Sequence, residues 1–275
     1  MRSIVDCHCH IYPEKIASRA VAAVEDFYGG LPRQPWDGTA AELVRSGRAA
    51  GIGHFVVFSV ATTPRQVSSI NRFISGCVRE NGNMIGLGTM HLDSDDYRRD
   101  LDELQSLGLR GVKLHPDIQG FRADDPRCLA ICRLCSEASL PVCIHAGDSR
   151  YGYSNPEQIA VIPEALPDLK LIAAHLGGWS VWEEAGRRLA NYPNVLVDCS
   201  SSLYWLKPET ARAIIRGYGA ERVLFGTDYP FWPQRQEIDS LLALGLTEEE
   251  YDAIFWGNAA RLWGLRQDEE AAEHA

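Results

Sequence analysis

The sequence lacks both a long apolar run and an excess of positive charge. No apolar stretch approaches the ~18 residues that a membrane-spanning helix needs, and no basic region with a long apolar core opens the chain, so no signal peptide is visible. The 275 residues include 27 basic and 37 acidic side chains, which gives a net charge of -10. This balance argues against a nucleic-acid partner, because such proteins usually present a basic face. We therefore expect a protein that binds neither membrane nor nucleic acid.

Two further absences limit the fold and the domain organisation. No glycine-rich phosphate fingerprint follows the first predicted strand, which argues against a dinucleotide-binding doubly wound fold. No proline- or serine-rich linker divides the chain, so we predict one domain over residues 1–265 and a disordered acidic tail over residues 266–275.

The eight cysteines occur in a long chain without export signals, so we expect reduced thiols and a cytoplasmic location. Cys128, Cys132 and Cys135 have helical spacing and are interpreted as small buried side chains. Cys7 and Cys9 alternate with two histidines, so we expect both thiols to point into the layer between strand and helices.

Short β-branched runs alternate with amphipathic stretches along the whole chain. The predicted strands are Ser3–His8, His54–Val60, Met84–Met90, Gly111–His115, Val142–His145, Leu169–His175, Val195–Cys199 and Val223–Gly226. The predicted helices are Asp96–Leu107, Pro126–Ala138, Pro156–Leu166, Val181–Tyr192, Pro208–Tyr218, Gln236–Leu244 and Thr247–Trp263. Strict alternation implies a parallel sheet, and eight such units predict an α/β protein with a (β/α)8 TIM barrel, which needs ~250 residues. The segment Tyr28–Thr39 is predicted to be a long loop that overhangs the barrel mouth.

Residues of the metal-ligand type end four of the predicted strands. His8 and His10 are two residues apart, so a strand places both imidazoles on one face. His145, His175 and Asp228 each follow a later apolar stretch. Because barrel enzymes build their sites at the C-terminal ends of the strands, we expect these side chains to converge there.

Six short motifs make the chain similar to a known family. It resembles the amidohydrolase superfamily, in particular the amidohydrolase-related branch with decarboxylase-like and lactonase-like members. The motifs are Asp6-Cys7-His8-Cys9-His10, Gly111-Val112-Lys113-Leu114-His115-Pro116, Ile144-His145-Ala146-Gly147, Ala174-His175-Leu176-Gly177-Gly178, Gly226-Thr227-Asp228-Tyr229-Pro230 and Gly257-Asn258-Ala259.

The resemblance and the residue types both indicate a divalent metal. His8, His10, His145 and Asp228 offer three neutral nitrogens and one carboxylate, a set that suits Zn²⁺, with Mn²⁺ or Fe²⁺ as alternatives. Asp228 is also predicted to be catalytic and to accept a proton from the attacking water. For His175 the resemblance implies general acid–base catalysis or support of a substrate oxygen.

Lys113 and His115 leave two arrangements open. We expect one metal, with Lys113 as a catalytic cation. In the alternative that some superfamily members suggest, a carbamylated Lys113 bridges a second metal and His175 becomes a ligand. His115, Arg150, Tyr151, Tyr12 and Trp179 are predicted to bind the substrate, with Arg150 holding a carboxylate or phosphate through two hydrogen bonds.

These expectations define the candidate functions. The first is a hydrolase that directs a metal-activated water to a lactone, ester or amide of a small carboxylated molecule. The alternative is a metal-dependent, non-oxidative decarboxylase of an unsaturated or aromatic acid. A barrel that binds a metal or a ligand without catalysis is the third reading. The resemblance also suggests a homodimer.

Overall fold

The computed structural model describes residues 2–29 and 36–266. The strands are β1 (Val5–His10), β2 (His54–Phe58), β3 (Met84–Gly86), β4 (Gly88–Thr89), β5 (Val112–Leu114), β6 (Val142–Ile144), β7 (Leu171–Ala173), β8 (Val195–Asp198) and β9 (Val223–Leu224). The helices are α1 (Ala17–Phe27), α2 (Ala40–Ala50), α3 (Val67–Glu80), α4 (Tyr97–Ser106), α5 (Pro116–Gln119), α6 (Pro126–Glu137), α7 (Pro156–Ala165), α8 (Trp182–Leu189), α9 (Pro208–Tyr218), α10 (Gln234–Leu242), α11 (Glu248–Asp252) and α12 (Asn258–Trp263).

The strands form a parallel TIM barrel whose hydrogen-bonded ladder is divided in two. One ladder runs β1-β2-β3 and the other runs from β4 to β9 in chain order. β3 and β4 continue one strand across Leu87, whose N–H donates to the Val57 carbonyl. At the other junction, the N–H of Cys7 donates to the Phe225 carbonyl at 2.8 Å, although no ladder forms there. The predicted (β/α)8 fold is therefore confirmed, with its third strand broken in two.

Two buried clusters account for the alternation of side chains along the strands. One lies between strands and helices and includes Phe55, Val112 and Leu171. The other joins Val56, Cys143 and further strand residues to α12, which packs against the strands through Ala259 and Trp263. Both faces of each strand are buried, as parallel sheets require.

The predicted helices form at the expected places, and four further helices, α1, α2, α3 and α5, were not predicted. α1, α2 and α3 lie between the first three strands. α1 ends directly before the segment that was predicted as a loop. The final helical region starts as predicted, with a capping box between Thr247 and Glu250. A π-helical turn at Ala253–Gly257 divides it.

The first strand deviates from strict alternation. Its pairing with β2 shifts register between Asp6 and Cys9. Cys9 packs between strand and helices as predicted, but Cys7 joins the cluster with Cys143 and α12, so the prediction for Cys7 was wrong. This register shift has the effect of a bulge, which changes the residues that share one face of the strand. All eight thiols are buried and none forms a disulfide.

Within the described part of the chain, no helix combines the length and apolarity needed to cross a bilayer. Residues 267–275 of the predicted tail and residues 30–35 of the predicted loop lie outside the described residues.

Candidate metal centre

The residues of the ligand type lie together where the strands end. His8 and His10 belong to the end of β1, and His145 follows β6 directly. His175 and Asp228 follow β7 and β9 and adopt left-handed backbone angles, with φ of 60° and 59°. All five side chains are buried. His8, His175 and Asp228 each offer a ligand atom within 4.8 Å of the other two.

The two ring nitrogens of His8 lie near different carboxylates. Its Nδ1 lies 2.9 Å from Asp198 Oδ2, and a carboxylate can only accept, so Nδ1 carries the proton. In the neutral ring Nε2 is then unprotonated and carries a lone pair, and this nitrogen lies 3.4 Å from Asp228 Oδ1. His10 Nε2 lies 3.4 Å from the same carboxylate oxygen. A lone pair and a carboxylate repel each other unless a cation lies between them.

His145 and His175 contact each other through their ring nitrogens. His175 Nδ1 lies 3.1 Å from the Ser200 carbonyl and His175 Nε2 lies 3.0 Å from His145 Nδ1. His145 Nε2 lies 3.1 Å from the Gly147 carbonyl. If the Ser200 carbonyl accepts from His175 Nδ1, His175 Nε2 is unprotonated and accepts from His145 Nδ1. His145 Nε2 can then accept from the Tyr28 hydroxyl, which lies 3.3 Å away.

The shortest distances between these ring nitrogens and carboxylate oxygens match the spacing of ligand atoms around a metal ion. Ligand atoms ~2.1 Å from one ion are separated by roughly 3.0–3.4 Å in octahedral or tetrahedral geometry. The pairs His8–Asp228, His10–Asp228 and His145–His175 fall in that range. The donor set of neutral imidazoles and one carboxylate suits a divalent first-row metal. These residues therefore fit the group that the sequence predicts.

The protonation states also suit metal binding. Burial lowers the pKa of His8 to about 4, and the charge of Lys113 acts in the same direction. Burial likewise lowers the pKa values of His10 and His145. Burial alone would raise the pKa of Asp228, but the imidazoles of His8 and His10 outweigh it and hold that pKa well below its usual range. Neutral imidazoles and an ionised carboxylate are the forms that bind metals.

Two sets of hydrogen bonds hold Asp228 in place. Asp6 accepts from the Thr227 N–H at 2.9 Å and from the Thr227 hydroxyl at 2.5 Å, which ties the end of β9 to β1. The Ser201 hydroxyl donates to Asp228 Oδ2 at 2.5 Å and accepts from Trp232 Nε1. Oδ2 is thereby occupied, and Oδ1 is the oxygen that faces the histidines.

Lys113 lies next to the candidate metal ligands. Its Nζ is 3.4 Å from His8 Nε2 and 4.8 Å from the centre of the Phe58 ring. The side chain is fully buried, and no carboxylate of the described chain forms an ion pair with it. An ammonium at this place adds positive charge next to a divalent ion. The carbamate of the two-metal alternative would instead place a negative charge there.

His115 and His145 form a second group of candidate ligands with Asp117. The two imidazole rings stack with centres 4.0 Å apart and planes inclined by 6°. Their in-plane lone pairs therefore run side by side and do not converge on one ion. The Tyr28 hydroxyl lies 3.0 Å from His115 Nε2 and 3.3 Å from His145 Nε2 instead.

The cluster opens into a cavity of about 670 Å³. Tyr12 and His115, two of the predicted substrate-binding residues, line it together with His10, His175 and Asp228. The lining is otherwise mostly apolar, with side chains from α1 and α3.

The remaining predicted substrate-binding residues are not among the described residues that line this cavity. Arg150 forms two hydrogen bonds with Asp148 and donates a third to the Phe27 carbonyl. Tyr151 stacks on Phe27, and Trp179 packs edge-on against Tyr28. Their contribution to substrate binding stays a prediction.

Three residues of the site were missed or underestimated from the sequence. Asp198 was interpreted as a structural or wall carboxylate, yet it fixes the proton of His8. Its position at the end of β8 was the available signal. Tyr28 lies at the start of the predicted mouth loop and contacts two histidines. Nothing in the sequence indicated that Ser201 binds Asp228.

Comparisons with known proteins show which family and fold the chain is similar to. The amidohydrolase family profile matches residues 5–265. A TIM-barrel protein of uncharacterised function from Bordetella bronchiseptica is 21% identical with a TM-score of 0.76, over 95% of this chain and 98% of that chain. A candidate 2-pyrone-4,6-dicarboxylic acid hydrolase from Pseudomonas putida is 20% identical with a TM-score of 0.68, over 98% and 100%.

A third similar structure contains a metal. It is a dihydroxybenzoic acid decarboxylase from a Polaromonas species with bound manganese and an inhibitor, 17% identical with a TM-score of 0.71, over 99% of this chain and 100% of that chain. At these identities the structures show the fold alone. No match is found among curated proteins. The family profile, however, spans nearly all of the sequence, and the chain therefore belongs to the amidohydrolase family.

Proposed function

We propose that this protein is a metal-dependent hydrolase that cleaves a lactone, ester or amide bond in a small carboxylated molecule. The observation that carries the proposal is the convergence of His8 Nε2 and His10 Nε2 on Asp228 Oδ1, each at 3.4 Å. His10 and Asp228 line the cavity, so a cation held between these atoms would be open to a substrate. We propose zinc as that cation, with manganese or iron as alternatives.

Each residue has its own role in the proposed hydrolysis. When bound, a divalent ion supplies a Lewis acid that polarises a carbonyl and makes a nucleophile from water near neutral pH. Asp228 is ionised and accepts the proton that the attacking water loses. Ser201 holds the other oxygen of this carboxylate, so the accepting oxygen keeps its direction. Asp228 then returns the proton to the leaving group.

We assign general acid–base catalysis to His175, which lines the cavity. Its Nδ1 lies 3.1 Å from the Ser200 carbonyl, which fixes the proton on that nitrogen and the direction of Nε2. We assign stabilisation of the developing oxyanion to Lys113, whose Nζ lies 3.4 Å from His8 Nε2. Preorganised donors of this kind typically contribute about 10²–10³ in rate each.

Decarboxylation of an aromatic acid is the second candidate. Aromatic side chains of Phe27, Tyr28 and Phe231 border the cavity and favour a planar, apolar substrate body. A decarboxylase is also among the similar structures. In this reaction the same cluster holds the carboxylate, and a proton is delivered to carbon before carbon dioxide leaves.

A paired assay of metal content and product tests the proposal. The protein is loaded with zinc or manganese, dialysed, and analysed by emission spectroscopy, and then supplied with lactones, esters, amides and hydroxybenzoates. Hydrolysis releases a titratable acid without carbon dioxide, whereas decarboxylation releases carbon dioxide without consuming water. We expect metal-dependent hydrolysis.

Asp228→Asn and Asp239→Asn form the matched pair for this assay. Asp239 is an exposed carboxylate that pairs with Arg235 on α10, away from the cavity. We expect the first variant to lose at least about a hundredfold in kcat/KM and the second to match the parent. Absence of bound metal after loading, or equal activity of the two variants, would overturn the proposal.

A further inference from the structure

The cavity is much larger than one aromatic ring requires. Its volume is about 670 Å³, whereas an apolar cavity of ~150 Å³ already accommodates benzene. His10, His175 and Asp228 form only a small part of its lining. A substrate that filled the space would extend well beyond the reacting groups.

Two helices that the sequence patterns did not predict supply the apolar walls. Ala23 and Phe27 of α1 line the cavity, and Ile16 precedes them. Ile70 and Phe73 of α3 also belong to the lining. Walls of this composition stabilise an alkyl chain or a fused ring system through burial of apolar surface, by about fourfold in affinity per methylene.

Arg19 is the one Arg or Lys side chain among the described residues of this lining. Within residues 2–29 and 36–266 it has no ion pair or hydrogen bond. Arg150 differs, because Asp148 and the Phe27 carbonyl already occupy its guanidinium. An unpaired guanidinium at the edge of an apolar cavity matches a carboxylate on the ligand.

We infer that the substrate is an amphiphilic acid, a conclusion that rests on the proposed function. Its carbonyl lies at Asp228, its apolar body lies between α1 and α3, and its carboxylate pairs with Arg19. Half-esters and lactones of medium-chain acids have this chemistry. Small dicarboxylic acids have the charge but not the apolar body.

A chain-length series tests the inference with the metal-loaded protein. Monomethyl succinate, monomethyl suberate and monomethyl sebacate share one scissile bond and one carboxylate, and dimethyl sebacate lacks the carboxylate. We expect kcat/KM to rise by at least about a hundredfold from succinate to sebacate. The neutral diester should be about tenfold poorer than the sebacate half-ester.

Variants on α1 test the contributions of the apolar wall and of Arg19 independently. Ala23→Trp should lower the sebacate-to-succinate ratio of kcat/KM about tenfold, and Ser18→Trp, on the same helix outside this cavity, should leave the ratio unchanged. Arg19→Gln should remove the preference for the half-ester over the diester. Lys15→Gln is its control, since Lys15 is exposed and does not line the cavity.

Binding of anilinonaphthalene sulfonate gives a readout that needs no catalysis. We expect the dye to bind the native protein, sebacate to displace it, and Ala23→Trp or Arg19→Gln to weaken it about tenfold. Displacement by sebacate without hydrolysis of any ester would contradict the proposed function and leave the amphiphilic ligand standing. Equal dye binding by all variants, with rates independent of chain length, would refute the inference itself.

Discussion

Each nitrogen of the His8 imidazole has a different partner, and this division determines how the cluster binds a cation. Asp198 fixes the proton on Nδ1, so Nε2 is left as a lone pair. A carboxylate in this position orients the ring and raises its basicity. The burial of both side chains strengthens the effect, because no water competes for the bond.

Asp198→Asn tests this division. The amide can donate to Nδ1, which moves the ring proton to the nitrogen that should face the metal. We expect metal affinity to fall by about 10–100-fold, measured by competition with a chromogenic chelator. Asp239→Asn on α10 is the control, and equal affinities for the two variants would rule out an orienting role for Asp198.

Glu237 makes a separate prediction about pH and stability. Burial raises its pKa from 4.5 to about 8, and the charges of Asp228 and Asp6 act in the same direction. Neither carboxylate oxygen has a hydrogen-bond partner in the described chain. The folded state therefore holds the proton more tightly than the unfolded state, so the free energy of unfolding should fall as pH rises from about 5 to 8.

Glu237→Gln should remove this loss. The amide has nearly the same shape and no charge to bury, so the variant should resemble the parent at pH 5. At pH 8 it should be more stable by on the order of 3 kcal/mol, since each pKa unit corresponds to about 1.4 kcal/mol. Urea unfolding at both pH values measures this, with the exposed Glu14→Gln as control. A variant that is less stable at pH 8 would contradict the assigned pKa.

Among individual residues, the sequence predicted the functional side chains that lie at strand ends. It missed the contacts that depend on the path of a loop. His8, His10 and Asp228 are predictable because parallel strands place their C-terminal ends together. The bond between Ser201 and Asp228 depends on the path of the loop after β8. No periodicity encodes that path.

At the scale of elements, buried strands were easier to predict than amphipathic helices. A strand covered on both faces appears as a continuous β-branched run, as in β2 and β7. α1 and α3 instead mix alanine and serine with a few apolar residues, and α1 keeps part of its apolar surface for the cavity. Both helices nevertheless have one apolar and one polar face, so their amphipathic periodicity was an available signal.

The contact of α2 with β2 gives a test at this scale. Gly47 lies on α2, and a methyl group added there would overlap the ring of Phe55. We expect Gly47→Ala to lower the free energy of unfolding by about 1–3 kcal/mol, despite its better helix propensity. The measurement is denaturant unfolding at neutral pH.

Gly217→Ala on α9 is the matched substitution. An added methyl group there meets nothing within 4 Å, so the helix should gain about 0.5–1 kcal/mol. If both variants changed stability in the same direction, the close packing of α2 on β2 would not be the cause.

For the whole molecule, the cluster links four strand ends of the barrel, so metal binding should couple to global stability. A ligand that binds only the folded state at about a hundredfold over its dissociation constant stabilises it by about 2.7 kcal/mol. We therefore expect zinc to raise the midpoint of thermal unfolding by about 5–10 °C. His10→Ala should lose most of this shift in differential scanning fluorimetry, whereas Asp239→Asn should retain it. A shift of the same size in both variants would place the binding site elsewhere.

An anomalous difference map from crystals grown with zinc or manganese tests the central claim most directly. We predict one strong peak per chain, about 2.1 Å from Asp228 Oδ1 and from the nearest imidazole nitrogens of His8 and His10. The absence of a peak between these side chains, or a peak only at distant residues, would contradict the metal centre on which the proposed chemistry depends.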